Sequence, residues 1–214
     1  MIEAYLFDMD GTLLDSEILW VDAVALMLQE RGIAITTEKA VDIVYGVSWY
    51  DIYDYLQEDY PQLQLSTAQM ADELDACFSR LLGERDIRIH SSIALLKRLS
   101  RQQPVAIVSG SYGKDIERGI ALMGVGKDIA FYVSGDHFAP GKPDPACYLH
   151  AAEKLGLPPE NCLAFEDSTA GIRAAKGAGM YCVALSRPQR PAQDVSEADL
   201  VLPDLALFSE DAIL

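Results

Sequence analysis

A chain of 214 residues, half of them apolar, is long and hydrophobic enough to bury a sizeable core as one domain with a modest insertion, which excludes a disordered chain. A formal net charge of -16 with a pI near 4.4 argues against a nucleic-acid binder, which should carry a basic face, and no apolar run is long enough for a membrane span. On so acidic a chain, an anionic ligand needs a local cluster of positive charge or a metal ion.

The first element is a short apolar run, Ala4-Tyr5-Leu6-Phe7, which reads as a buried strand. It runs into Asp8, Met9, Asp10, Gly11, Thr12, Leu13, Leu14 and Asp15. Two carboxylates two residues apart, where a strand gives way to a glycine turn, suit a hard cation and a phosphoryl group. One can attack phosphorus, and the other can deliver and withdraw a proton. Capping of the next helix needs only Asp15 or Ser16 and leaves Asp8 and Asp10 without a role.

Helices follow over Ser16 to Arg31, about Glu38 to Tyr45, Ser48 to Tyr60, and Ser66 to Leu82. Ser66 with Gln69 is a capping-box signature, and Met70, Leu74, Phe78 and Leu81 form one apolar stripe. After Ser92 a helix carrying Ile93, Leu96 and Leu99 leads to Pro104. From there strands and helices alternate. Val105 to Ser109 is a strand, Lys114 to Met123 a helix, and Phe131 to Val133 a strand. A helix is capped by Asp144, with Pro145 in its first position, and ended by Gly156. Cys162 to Phe165, Tyr181 to Ala184 and Asp199 to Leu202 are strands, with a helix from Thr169 to Lys176.

This rhythm is that of a parallel sheet with helices on both faces. A crossover needs only about a dozen residues, so the helical stretch between the first two strands is surplus. The expected architecture is α/β: a Rossmann-like core of residues 1–15 and 86–214, with an all-helical cap domain, residues 16–85, inserted after the first strand. Ligands of such sheets bind at the carboxyl ends of the strands, so the cap is expected over the site. Cys77, Cys147, Cys162 and Cys182 lack metal-ligand spacing and are expected to be reduced, in a cytoplasmic protein. The N-terminus has neither the basic region nor the long apolar stretch of a signal peptide.

Three more clusters fall at carboxyl ends of strands. Ser109-Gly110-Ser111 can bind phosphate oxygens through hydroxyl and backbone N–H groups. Gly141-Lys142-Pro143-Asp144-Pro145 holds Lys142 on a stiff loop, where it can neutralise phosphate charge. Glu166 and Asp167 are costly neighbours unless a cation joins them. Magnesium takes oxygen ligands and keeps several waters. Asp8, the carbonyl of Asp10 and Asp167 can supply three ligands, and Glu166 a direct or water-mediated fourth.

Together the four clusters resemble, in order and spacing, the four motifs of the haloacid dehalogenase superfamily, the first being Asp-x-Asp-Gly-Thr-Leu-x-Asp. The resemblance spans essentially the whole chain and is nearest to the helical-cap subgroup that includes β-phosphoglucomutase and many sugar-phosphate phosphatases. It implies Asp8 as nucleophile, Asp10 as acid/base, Ser109 (with Gly110) and Lys142 as phosphoryl ligands, and Asp167 with Glu166 at Mg2+. The implied activity is hydrolysis of a small phosphorylated metabolite, a sugar phosphate, by a monomer with no nucleic-acid or membrane partner.

Alternatives separate on single residues. Dehalogenases proper lack the second aspartate, so Asp10 argues against them. Phospho-receiver modules share an aspartate, magnesium, Ser/Thr and lysine but lack the cap and the Asp10 position. A phosphomutase like β-phosphoglucomutase needs a clamp for a second phosphate. Where the mutase has a cap arginine after Gly-Val-Ser, this chain has Trp49 after Gly46-Val47-Ser48, and where the mutase has a histidine on the first cap helix, this chain has Trp20. Gly46 and Trp49 are therefore expected to set substrate specificity, with Tyr50 and Tyr53 as further stacking candidates. At the cap's return the family often has glycine and this chain has His90-Ser91-Ser92.

Overall fold

The structure, a computed structural model, describes residues 1–45, 49–188 and 190–213, and of residues 49, 50, 212 and 213 the backbone alone. Six strands form one sheet: β1 (Ala4–Phe7), β2 (Val105–Val108), β3 (Phe131–Val133), β4 (Cys162–Glu166), β5 (Tyr181–Leu185) and β6 (Leu200–Leu202). Their order is β3-β2-β1-β4-β5-β6 and every pairing is parallel. Every residue of β1, β2 and β4 is buried, which is why these segments are continuous apolar runs rather than alternating ones.

Alternate residues of the central strands feed two faces. Ala4, Leu6, Ala106, Val108, Ala164 and Ala184 belong to one apolar cluster with Ala151, Ala152, Ile172, Ala174 and Ala175. Those last residues lie on α7 (Ala146–Leu155) and α8 (Thr169–Gly177). Small side chains on sheet and helices allow that close approach. On the alternate positions, Phe7 stacks on Phe165 with centroids 4.4 Å apart, and Phe208 meets Phe165 edge-on at 5.0 Å. Helices α5 (His90–Leu99) and α6 (Gly113–Met123) complete the α/β core. Gly124 and Gly156 end α6 and α7 in the left-handed conformation.

By contacts the chain divides into two compact units, Met1–Leu14 with Arg88–Leu214, and Asp15–Ile87. The second unit is all-helical: α1 (Ser16–Glu30), α2 (Thr37–Val44), α3 (Trp49–Asp59) and α4 (Thr67–Glu84). Ser66 and Gln69 make the full capping box at the start of α4. Met70, Leu74, Phe78 and Leu81 are all buried, as their stripe requires. Trp20 stacks on Phe78 with centroids 4.0 Å apart.

Most element ends move by a residue or two from the sequence expectation, and two of the shifts change a residue's part. Pro145 is the cap residue of α7 rather than its first helical residue, and Asp144 accepts the Ala146 N–H at 2.9 Å from one position further back. Helix α5 starts at His90, so His90-Ser91-Ser92 is its first turn rather than a linker. No helix among the described residues is long and apolar enough to cross a membrane.

Candidate active site

The strand order reverses direction between β1 and β4: the chain proceeds outward from β1 to β3 on one side and from β4 to β6 on the other. Such a switch point opens a crevice at the carboxyl ends of the two central strands. Asp8 follows β1 and donates its N–H to the Phe165 carbonyl of β4 at 2.9 Å. That pairing brings Asp8 beside Glu166 and Asp167, although about 160 residues separate them in sequence.

Lys142 ties these acids together. Its ammonium donates to Asp8 Oδ1 at 2.7 Å, Glu166 Oε1 at 2.5 Å and the Val108 carbonyl at 3.0 Å, which employs all three of its protons. Burial alone would lower the Lys142 pKa, but Asp8 and Glu166 win and hold it well above its ordinary value. Burial pushes the Asp8 carboxyl well above the usual carboxylate range; Lys142 pulls it down, and Glu166, Asp167 and Asp10 add to the upward push. Asp8 Oδ2 is buried without a hydrogen-bond partner. A buried carboxylate oxygen left in that state is expensive, and a cation is what would offset the cost.

The donor set fits one. Oxygens of Asp8, Glu166 and Asp167 lie within 4.8 Å of one another, and all three residues are buried. Hard carboxylate oxygens without sulfur or imidazole suit a cation of the magnesium class. Glu166 stands apart within this trio. Its Oε1 accepts from Lys142 and from the Tyr148 hydroxyl at 2.7 Å, and its Oε2 from the Asp167 N–H at 3.2 Å and Ser168 Oγ at 3.3 Å. Four donors fill the lone pairs of a carboxylate, so Glu166 anchors Lys142, and direct ligation would require it to release a donor.

Asp10 lies on the other side of the turn. Its Oδ2 accepts from Ser109 Oγ at 3.0 Å and Ser111 Oγ at 2.7 Å, and Ser109 Oγ in turn accepts the Ser111 N–H at 3.0 Å. Ser109 is thus brought to the site and engaged with Asp10. Gly110 passes close to the next loop: a Cβ on Gly135 would stand 2.1 Å from the Gly110 carbonyl oxygen. The turn itself is closed by Gly11 N–H to the Leu14 carbonyl at 2.7 Å. Because the peptide is planar and trans, this bond also directs the Asp10 carbonyl the opposite way. Gly11 has φ +91°, and a Cβ there would lie 2.0 Å from Asp167 Oδ2, so both conformation and space demand glycine.

Four contributors had no role of their own assigned from the sequence. Thr12, fully buried, donates to Asp167 Oδ1 at 3.1 Å. Ser111 secures Asp10 as described. Arg187, beyond β5, donates to the Gly11 carbonyl at 2.9 Å. Tyr148, also fully buried, holds Glu166. Thr12 and Ser111 sit inside motifs already singled out and were within reach of that reading. Tyr148 and Arg187 gave no local signal. Of the expected specificity residues, Gly46 and the side chain of Trp49 lie outside the described residues.

The profile of the haloacid dehalogenase-like hydrolases matches residues 2–179, which include Asp8, Asp10, Ser109, Lys142, Glu166 and Asp167. The chain belongs to that family. Among curated hydrolases, the 6-phosphogluconate phosphatase of Escherichia coli (strain K12) is 31% identical over 84% of this chain and 80% of its own length. The phosphorylated carbohydrates phosphatase of Thermotoga maritima is 30% identical over 84% and 82%. Among solved structures, CbbY from Rhodobacter sphaeroides in complex with phosphate superposes with a TM-score of 0.80 at 26% identity, covering 97% of this chain and 96% of the other. This haloacid dehalogenase-like hydrolase is an enzyme of the phosphoric monoester hydrolase class that those curated relatives share.

Proposed function

We propose that this enzyme is a magnesium-dependent phosphatase that hydrolyses a small phosphorylated sugar through a phosphoaspartate on Asp8. The observation that carries the reading is the pairing of a buried Asp8 with Lys142 on one oxygen and no partner on the other. Asp8, Asp167 and the Asp10 carbonyl would hold the cation, with Glu166 at its edge; when bound it would offset the charge gathered by carboxylates and phosphate. The residues divide the chemistry. An Asp8 oxygen bonds to phosphorus as the ester P–O bond breaks, and protonated Asp10 gives its proton to the departing alkoxide. Water then attacks the phosphoaspartate with Asp10 as base, the acyl P–O bond breaks, and Asp8 and inorganic phosphate are released. Ser109 and Gly110, with Lys142, orient the phosphoryl oxygens, and residues 16–85 act as the cap, with Gly46 and Trp49 contributing to specificity.

Two features favour water over a second sugar phosphate as acceptor. Trp20, at the position of the mutase's histidine, is stacked on Phe78. A tryptophan also occupies position 49, where the mutase has its arginine. The test is a panel of sugar monophosphates with Mg2+, followed by phosphorus NMR. Release of inorganic phosphate, its loss in EDTA, and no turnover by Asp8→Asn are expected. Isomerisation of β-glucose 1-phosphate with trace bisphosphate and negligible phosphate release would make the chain a mutase, and turnover by Asp8→Asn would remove Asp8 from its role.

A further inference from the structure

Ser109 and Ser111 share one acceptor. Each hydroxyl donates to Asp10 Oδ2, at 3.0 and 2.7 Å, so both lone pairs of that oxygen are taken. Ser109 has a second claim on it, because the phosphatase reading has it orient a phosphoryl oxygen. A hydroxyl carries one proton and serves one acceptor at a time. When the phosphoryl group takes the Ser109 proton, Asp10 loses that donor and keeps Ser111.

The backbone around Ser111 is fixed independently of any substrate. The Ser111 N–H donates to Ser109 Oγ at 3.0 Å, and the Ser111 carbonyl accepts the Gly135 N–H at 3.0 Å, from the loop after β3. On one side of Ser111, Gly110 lies so near Gly135 that a Cβ there would stand 2.1 Å from the Gly110 carbonyl oxygen. On the other side, the Gly113 N–H donates to Asp136 Oδ2 at 2.7 Å. The loop after β2 is thus stitched to the loop after β3 at three successive places. None of these bonds needs the Ser109 proton, so all of them survive its transfer to a phosphoryl oxygen.

We infer that Ser111 is the positioning residue of the acid/base: it holds Asp10 by Oδ2 through both half-reactions, while Ser109 passes to the phosphoryl group. The inference rests on the phosphatase reading above. Held in this way, Asp10 carries the transferred proton on Oδ1. It gives that proton to the leaving oxygen as the ester P–O bond breaks. It takes one back from the attacking water as the bond between phosphorus and Asp8 breaks.

The test compares Ser111→Ala and Ser109→Ala on glucose 6-phosphate, phenyl phosphate and p-nitrophenyl phosphate with Mg2+. A sugar alkoxide needs the proton most, phenolate less, and p-nitrophenolate departs without it. The two aryl esters keep the comparison whatever sugar the enzyme prefers. In all three, kcat/KM reports phosphoryl transfer to Asp8. Ser111→Ala should lower kcat/KM on glucose 6-phosphate roughly ten- to a hundredfold, the effect of one hydrogen bond to a charged group, and less on phenyl phosphate. On p-nitrophenyl phosphate kcat/KM should stay within about twofold, which also shows that the variant is folded. With that ester kcat should nonetheless fall and a burst of p-nitrophenolate appear, because the phosphoaspartate still waits for Asp10 to activate water. Magnesium affinity by calorimetry should not change. Ser109→Ala should lower kcat/KM on all three esters together. An equal loss by Ser111→Ala on all three, or no loss on any, overturns the inference and leaves the phosphatase reading standing. So does weakened magnesium binding, which would place Ser111 at the cation. A Ser111→Ala loss that persists in full when added to Asp10→Asn also overturns it, because the two residues would then act independently. No turnover of any of the three esters by the unaltered enzyme removes the phosphatase reading and the inference with it.

Discussion

Charge is handled in opposite ways at the core's site and in the helical unit. In the core, Lys142 and Glu166 are almost wholly enclosed, at 11% and 0% side-chain exposure, and each is held by several partners. In the helical unit the ion pairs join side chains 32–52% exposed, Arg31 and Glu73 through two hydrogen bonds. Water screens the second kind, whose loss typically costs about 0–1 kcal/mol. The first kind is interlocked: removing one member leaves another charge buried and uncompensated. One chain thus carries an enclosed, interlocked electrostatic centre and a screened charged surface.

The sharpest way to break this contrast is Lys142→Met, which keeps the length of the side chain and removes its charge. It should destabilise the enzyme by ~3–5 kcal/mol in denaturant titration and abolish turnover. Because the folded pKa of Lys142 is raised, its contribution is complete below the unfolded value of about 10.4 and fades as pH rises beyond it. The wild type should therefore lose stability more steeply than the variant in alkali. Equal stability of the two at pH 7 would show that the buried network is not interlocked.

Asp10→Asn comes next. It keeps the shape and an acceptor for Ser109 and Ser111 but cannot carry the proton, so kcat should fall roughly 10²–10⁴-fold while magnesium affinity persists. A collapse of magnesium affinity, read by calorimetry, would assign Asp10 to the metal through its side chain instead. Tyr148→Phe is smaller. It removes one of four donors to the enclosed Glu166, at a cost of about 1–3 kcal/mol. The alkaline limb of the rate profile should shift as Lys142 responds, which mere loss of packing would not produce.

Arg31→Ala is expected to have the smallest effect, within about 1 kcal/mol, because the Arg31–Glu73 pair is one-third exposed. A loss comparable to that of Lys142→Met would erase the distinction between the units.

Much of this was legible locally. The apolar runs of β1, β2 and β4 are buried on both faces, so each reads as a strand by itself. The Ser66–Gln69 capping box and the stripe on α4 arise from hydrogen bonds and contacts three and four residues apart, which sequence spacing encodes directly. Asp8, Asp10, Ser109, Lys142, Glu166 and Asp167 could be picked out because each lies at or beyond the carboxyl end of a strand. Their convergence required the switch point between β1 and β4, because only strand order brings residue 8 beside residue 166. The same holds for what was missed. Tyr148 lies on an apolar helix face and Arg187 in a loop, and neither neighbourhood in sequence hints at a carboxylate or a glycine carbonyl. Whether Glu166 ligates a cation or anchors a lysine was equally invisible, since that depends on how many donors surround it in three dimensions. Local periodicity and turn chemistry determined the elements and the candidates; pairing across roughly 20 to 180 residues decided which candidates meet, because partners so far apart leave no trace in the spacing of the chain.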